Sequence, residues 1–196
     1  MNKKLVLASK SPRRKELLEL AELEFETFAA EVDETLDETK PLKEELKRLA
    51  LKKAKEVLKS YPDCVVIGAD TTVAVDDVIL GKPKNDEDAK EMLRKLSGRR
   101  HEVFTSCALC DADHEVAWIN AAEVEFYELD DQMIDWYLST GDHRDKAGAY
   151  GIQSKGALLV KGIHGDFYTV MGLPIAEVIR KLEEFEKDET KNEENQ

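Results

Sequence analysis

Apolar residues along this chain follow two spacings, one typical of buried strands and one typical of helices. Continuous apolar runs at residues 5–8 and 64–69 predict strands, and the second run is typical of a central strand covered on both faces. From Pro41, apolar residues recur every three or four positions, which predicts a long helix with one buried face. The same spacing returns in three later segments, which begin at Asn85, Asp130 and Pro174. Helices therefore alternate with strands, as in a mixed α/β sheet.

Weaker patterns complete the expected order of elements. Ser11 and Pro12 suit the N-cap and the first position of a helix that runs to about Ala21. Residues 142–153 carry glycine and charge without an apolar period, so they predict a long loop of a kind that is often functional. Further strands are expected at residues 24–30, 71–75, 78–80, 101–109, 115–129 and 157–160, the second and third of these forming a hairpin.

The length of the chain limits it to one domain. Its 196 residues, of which 42% are hydrophobic, can bury one core or two lobes that share a sheet. We expect one domain over residues 1–185 and an acidic, disordered tail over 186–196. The N-terminal apolar segment is too short for a signal peptide, and no run approaches the roughly 20 apolar residues of a membrane helix. We therefore expect a cytoplasmic protein that does not interact with membranes.

The net charge of −13 opposes non-specific binding to the phosphate backbone of nucleic acids. A polyphosphate ligand would need local positive charge and a divalent cation. Neither the cysteines nor the histidines form a metal-binding pattern. Cys107 and Cys110 form a lone CxxC in an apolar, strand-like stretch, which favours buried thiols over a zinc site. The four histidines are scattered, and we interpret them as surface or strand residues.

The segment Ser9–Arg14 is the strongest local candidate for binding an anion. It joins a strand to a helix and carries two serines, a lysine and two arginines. Cations at a helix N-terminus oppose the macrodipole, so Arg13 and Arg14 are unfavourable there unless an anion is bound. Backbone N–H groups, hydroxyls and guanidinium groups would together bind phosphate oxygens. The alternative is an ordinary capped helix with exposed arginines.

Asp70 directly follows the apolar run at 64–69. A carboxylate beyond the carboxyl end of a strand in an α/β sheet can hold a metal or activate water. Alternatively, Asp70 caps the backbone of Thr71 or Thr72.

Two lysines and one loop add further candidates. Lys53 falls on the apolar side of its helix, where it either extends to solvent or reaches a buried anion. Lys82 lies between Gly81 and Pro83 after the hairpin, and it is either held for a ligand or merely exposed on a tight turn. In the segment 145–153, small residues would let a ligand approach the backbone and Gln153 offers a donor and an acceptor; the alternative is a glycine-rich crossover.

Taken together and in order, these motifs resemble the Maf family of septum-formation-inhibitor-like nucleotide pyrophosphatases. The resemblance covers about Leu5 to Leu182, nearly the full chain. The full series is far more specific than any one of its members. The matching segments are SKSPRR at 9–14, Glu31, KAK at 53–55, GAD at 68–70, GKP at 81–83, LSGRRHEVFT at 96–105 and DKAGAYGIQ at 145–153.

The resemblance implies hydrolysis of non-cyclic nucleoside triphosphates to the monophosphate and pyrophosphate, with Mg²⁺ or Mn²⁺ as a divalent cofactor. It also implies a mixed twisted sheet with flanking helices, in two lobes around a central groove. Asp70 would be the catalytic base and, with Glu31, a metal ligand. The residues that would contact the triphosphate are Ser9, Arg13, Arg14, Lys53 and Lys82.

The chain resembles the branch of the family that acts on dTTP and UTP at three positions, which are Arg13, Thr71 and Gln153. A glutamine amide can match the paired carbonyl and N–H edge of uracil or thymine. The alternative branch prefers 7-methyl-GTP. Modified pyrimidine triphosphates are a further candidate substrate, in a house-cleaning role, and the resemblance also suggests a homodimer.

A rival hypothesis is a non-catalytic nucleotide-binding or nucleic-acid-binding regulator of cell division. The acidic charge argues against duplex binding, and Asp70 within a basic pocket would disfavour a pure phosphate binder. A P-loop or kinase-like transfer enzyme is excluded by the lack of those motifs.

Overall fold

The computed structural model describes residues 3–29, 31–76 and 78–193. Within those ranges no helix combines the length and the apolar character that crossing a membrane requires. The described strands are β1 (Lys4–Ala8), β2 (Phe25–Thr27), β3 (Cys64–Val75), β4 (Val78–Leu80), β5 (Arg100–Cys110), β6 (Glu115–Phe126) and β7 (Val160–His164). The helices are α1 (Pro12–Leu20), α2 (Leu42–Leu58), α3 (Asp86–Leu96), α4 (Asp131–Ser139), α5 (Phe167–Met171) and α6 (Ile175–Glu193).

The strands form one mixed sheet in the order β2-β1-β3-β5-β6-β7, and β4 pairs with β3. β1 pairs in parallel with β2 and with β3, ending where Ala8 faces Gly68. β4 runs antiparallel to β3 as a hairpin, and β7 runs antiparallel to β6. The mixed α/β class expected from the sequence is confirmed.

The chain divides into two compact units. The first comprises Met1–Asp70, Ser106–Ile119 and Gly172–Gln196, and the second comprises Thr71–Thr105 and Asn120–Met171. The single domain predicted over residues 1–185 stays a prediction.

The core of the first unit forms where α2 packs against the sheet. Ala50, Ala54 and Val57 of α2 lie against Val6 of β1 and Val66 of β3, and all five are buried completely. Gly68 permits this packing, because a Cβ at that position would lie 2.2 Å from the carbonyl oxygen of Ala50. A contact that short is impossible, so the helix could not approach β3 as closely if residue 68 had a side chain.

The core of the second unit gathers residues from several helices and strands and from the 145–153 segment. Ion pairs also link α3 and α4, between Arg94 and Asp131 at 2.8 Å and between Lys90 and Asp135. The largest members of this core are Leu80, Leu93, Leu96, Phe126, Ile134, Tyr137, Tyr150 and Leu159.

Several predicted elements differ from the structure. The strand predicted at 157–160 is wrong, because residues 154–158 form a 3₁₀ turn and β7 begins only at Val160. Helix α5 was not predicted. The last helix continues to Glu193, so the described part of the predicted tail at 186–196 is helical rather than irregular. His143 lies buried in a loop, not on the surface or in a strand.

The cysteines behave as the sequence predicted. All three are buried and unpaired. Cys107 and Cys110 are three residues apart in β5, which places their Cα atoms about 10 Å apart and beyond the reach of a disulfide. Burial raises the pKa of each of these two thiols to about 12. Burial therefore disfavours the reactive thiolate form of both residues at neutral pH.

Candidate active site

The loop between β1 and α1 places Ser9 at the start of a helix. Ser11 occupies the N-cap position as predicted, but its side chain makes no capping hydrogen bond. Its backbone N–H instead donates to the Ser9 hydroxyl at 3.2 Å. The helix start is thus ordered by Ser9, which also binds an arginine.

Arg14 is the most highly connected cation in this region. Its Nε donates to the carbonyl oxygen of Gly172 at 2.8 Å, and its Nη1 donates to the carbonyl oxygen of Ala69 at 2.9 Å and to the Ser9 hydroxyl at 3.1 Å. Burial lowers the pKa of the Arg14 guanidinium, and the nearby Asp70 carboxylate opposes that shift. For Arg14, the alternative of an exposed helix-end arginine is therefore wrong.

Asp70 lies inside β3, not beyond its end as the sequence predicted. The apolar run ends at Ala69, but β3 continues through Asp70 to Val75 and pairs with β4. The last residue of β3 to pair with β1 is Gly68, so Asp70 extends past the point where β1 stops. The Asp70 carboxylate therefore still lies beside the loop that follows β1. It does so because β1 stops earlier than β3, and not because β3 ends before Asp70.

Lys53 of α2 binds the Asp70 carboxylate. Its Nζ lies 2.5 Å from Asp70 Oδ1 and 2.8 Å from Glu34 Oε1. The Lys53 side chain is only 12% exposed and that of Asp70 only 15%. The alternative in which Lys53 extends to solvent is therefore wrong, and the close approach of α2 at Gly68 explains why the lysine reaches β3.

Glu34, which the sequence analysis did not select, is the second carboxylate at Lys53. Two residues of α2 hold its loop: Lys52 Nζ donates to the carbonyl oxygen of Asp33 at 2.7 Å, and Arg48 Nη2 donates to that of Thr35 at 3.2 Å. Glu31, the acidic residue that was selected, is exposed. A metal role for Glu31 stays a prediction.

Asp70 and Glu34 offer carboxylate oxygens of the kind that Mg²⁺ and Mn²⁺ prefer. Among residues 3–29, 31–76 and 78–193, no three His, Cys, Asp or Glu side chains cluster closely enough to enclose a metal. Two carboxylates without a closed protein cage fit an ion that shares its coordination with substrate phosphates, as Mg²⁺ usually does.

In the second unit, the Thr71 hydroxyl belongs to a short hydrogen-bond chain. Thr105 Oγ1 donates to the carbonyl oxygen of Thr169 at 2.7 Å and lies 2.9 Å from Thr71 Oγ1. A hydroxyl has one proton, so Thr71 must be the donor to Thr105. The hydroxyl proton of Thr71 is thus committed to the protein, and a ligand would meet only its oxygen.

The other selected residues of the second unit are Lys82 and Gln153. Lys82 is exposed and follows β4, whereas Gln153 is partly buried at the end of the 145–153 segment. In the first unit, the structure brings together Ser9, Arg14, Lys53 and Asp70, and it places Arg13 close enough to Arg14 to interact with it electrostatically.

Replacing Arg14 by lysine should lower the free energy of unfolding by about 2 kcal/mol, because an ammonium group cannot reproduce three hydrogen bonds from a planar fork. Urea titration would measure the loss. Lys15→Ala is the control, since Lys15 on the same helix makes only an exposed pair with Glu19. Equal losses in both variants would show that the Arg14 contacts do not stabilise the fold.

The sheet and these charged side chains define an α/β protein in which β3, α2 and the loop after β1 carry side chains suited to binding phosphate. The family model for Maf-like proteins matches residues 4–185, and the chain belongs to this family.

Two curated relatives illustrate the similarity. A dTTP/UTP pyrophosphatase of Bacillus cereus (strain G9842) is 47% identical over 188 residues, covering 96% of this chain and 98% of that protein. A dTTP/UTP pyrophosphatase of Bacillus cytotoxicus is 49% identical over 184 residues, covering 94% and 96%. Among solved structures, the Staphylococcus aureus Ham1 protein aligns with a TM-score of 0.45 and 19% identity, over 63% of this chain and 72% of that one.

Proposed function

We propose that this protein hydrolyses dTTP and UTP to the nucleoside monophosphate and pyrophosphate. The observation that carries the proposal is the Asp70 carboxylate held by Lys53 and accompanied by Glu34. The relatives named for this activity, similar over nearly the whole chain, support the choice of substrates.

In the proposed reaction, Asp70 orients a water molecule and accepts its proton. The water oxygen forms a bond to the α-phosphorus, the bond from that phosphorus to the α–β bridging oxygen breaks, and pyrophosphate leaves with the bonding electrons. Lys53 fixes the orientation of the Asp70 carboxylate through their 2.5 Å hydrogen bond. Attack at the α-phosphorus, rather than the β-phosphorus, is taken from the family.

Positive charge must balance the triphosphate in a protein with a net charge of −13. Ser9, Arg13 and Arg14 supply hydrogen-bond donors in the first unit, and we propose Lys82 of the second unit as a further contact to the triphosphate. A Mg²⁺ or Mn²⁺ ion held by Asp70 and Glu34 would neutralise phosphate charge when bound. We propose Glu34 as the second metal ligand because it shares Lys53 with Asp70, and the metal role implied for Glu31 stays a prediction.

Gln153 is proposed to select the base, because its amide can pair with the carbonyl and N–H edge of uracil or thymine. We also propose that the enzyme works in the cytoplasm as a homodimer. Its cellular role would be to remove pyrimidine triphosphates, including modified ones, that should not enter RNA or DNA.

The test is a phosphate-release assay with Mg²⁺ or Mn²⁺ on dTTP, UTP, CTP, ATP, GTP and 7-methyl-GTP, with and without added inorganic pyrophosphatase. We expect phosphate from dTTP and UTP only when pyrophosphatase is added, because the direct product is pyrophosphate. Phosphate without pyrophosphatase would indicate γ-phosphate release and contradict the mechanism. Faster turnover of 7-methyl-GTP would assign the sister activity, and no turnover at all would favour a binding protein.

A further inference from the structure

The turn that carries Lys82 is held at both ends by one segment of the chain. At one end, the Gly148 N–H donates to the carbonyl oxygen of Gly81 at 3.1 Å. At the other end, His143 Nε2 lies 2.9 Å from Asp86 Oδ1, the first residue of α3. Lys82 therefore lies between two attachment points, and residues 143–148 supply both of them.

The His143–Asp86 contact joins a buried ring to an exposed carboxylate. The side chain of His143 is 2% exposed and that of Asp86 is 65% exposed. A carboxylate only accepts hydrogen bonds, so Nε2 must donate. The Nδ1 atom is buried without a hydrogen-bond partner among the described residues. Among those residues, the imidazole is therefore held by the hydrogen bond from Nε2 to Asp86. Burying an imidazole with one nitrogen unsatisfied costs free energy, and the contact with Asp86 is the reason we infer for it.

The holding segment is itself rigidly specified. Gly148 has a φ of +67°, and a Cβ there would lie 3.1 Å from both methyl groups of Val73 on β3. Ala149 is fully buried with a φ of +59°, a backbone conformation that is unfavourable for a non-glycine residue and persists only when neighbours impose it. Next to it, the Tyr150 hydroxyl lies 2.8 Å from His101 Nε2.

We propose that His143 and Gly148 are positioning residues that clamp the turn at residues 81–86 and so hold Lys82 for its contact with the triphosphate. The proposal rests on the proposed function, in which Lys82 binds substrate phosphate. An exposed lysine has four rotatable side-chain bonds, and ordering it on a ligand costs conformational entropy. A fixed backbone adds no further disorder to that cost, whereas a mobile turn would spread the ammonium group over many positions.

Asp86→Ala removes the acceptor for His143 and leaves every proposed substrate contact in place. We expect kcat/KM for dTTP to fall about tenfold. Asp86→Asn keeps an oxygen acceptor and should restore most of the activity, which separates the hydrogen bond from the charge. Glu87→Ala is the matched control, because it removes the same charge from the same exposed first turn of α3. Its kcat/KM should stay at the level of the unmodified protein.

Combination with Lys82→Ala shows whether the effect passes through the lysine. If the clamp acts on Lys82, Asp86→Ala should cost nothing further in the Lys82→Ala background. A full tenfold loss in that background, or equal effects of Asp86→Ala and Glu87→Ala, would overturn the proposal while leaving the proposed function intact.

The clamp also has a readout that needs no turnover. In Asp86→Ala, the backbone amides of residues 81, 82 and 84–86 and the amide of Gly148 should exchange with deuterium faster than in Glu87→Ala. If the unmodified protein hydrolyses no triphosphate, the proposed function fails but this comparison still decides the clamp: faster exchange supports it and unchanged exchange contradicts it.

Discussion

Replacing Asp70 by asparagine should reduce kcat for dTTP by about a thousandfold while nucleotide binding persists. A general base contributes about 10²–10⁴ to the rate, and an amide cannot accept the proton of the attacking water. The amide oxygen can still accept a hydrogen bond from Lys53, so the local structure should survive. Single-turnover kinetics would give the rate, and titration with a non-hydrolysable dTTP analogue would give the affinity.

Two acidic controls make this result specific. Glu34→Gln should raise the Mg²⁺ concentration needed for half-maximal activity, because it removes one of the two carboxylates proposed to hold the ion. Glu31→Gln should have a smaller effect if the metal is held as we propose, since Glu34 is the carboxylate that shares Lys53 with Asp70. A fully active Asp70→Asn protein would exclude Asp70 as the base. A larger change in Mg²⁺ dependence in Glu31→Gln than in Glu34→Gln would indicate that Glu31 holds the metal.

His101 should make the protein less stable as the pH falls from 6.5 towards 4. Burial lowers the pKa of His101 from 6.5 to about 4 in the folded protein. Between these values the unfolded chain binds a proton that the folded protein does not, so the free energy of unfolding decreases with falling pH. The stability that depends on a neutral His101 is fully present above pH 6.5 and is lost progressively down to about pH 4. This loss lowers the free energy of unfolding by at most about 3 kcal/mol.

Urea titrations across this pH range would test the prediction with two variants. His101→Phe removes the titrating group, so its stability should vary less between pH 6.5 and 4, even if loss of the Tyr150 hydrogen bond lowers stability at every pH. His164→Gln removes an exposed histidine and should keep the pH dependence of the unmodified protein. Identical slopes in all three proteins would show that His101 is not responsible.

The sequence singles out several charged side chains that the structure brings together in the first unit, but not the elements that position them. Lys53 and Arg14 are candidates because a charge on an apolar helix face or at a helix start is unfavourable without a partner, whereas Asp70 is a candidate because it follows an apolar run in an α/β sheet. That reasoning depends on residue type and spacing, which a sequence displays directly. The position of Asp70 within β3 was not predicted, because a single polar residue looked like the end of a strand, whereas pairing with β4 carries the strand onward.

Glu34 was missed because its position depends on contacts that spacing does not reveal. Residues 31–37 form no regular element, so no period marks which acidic side chain turns towards Lys53. The choice is made by Lys52 and Arg48, which bind carbonyl groups of this loop from α2. The misplaced strand at 157–160 has a similar cause: Leu158 is 59% exposed, so its apolar character did not report burial.

Gly68 shows how a residue without a reactive side chain can govern the distance between two proposed site residues. Its missing side chain lets α2 approach β3, and that approach brings Lys53 within 2.5 Å of Asp70. If Asp70 is the base that we propose, a substitution at residue 68 should lower the rate as an active-site substitution does, although every proposed reactive group remains. Whether a member of this family tolerates a substitution should therefore depend on the distances between neighbouring backbone segments as well as on the charged residues of the site.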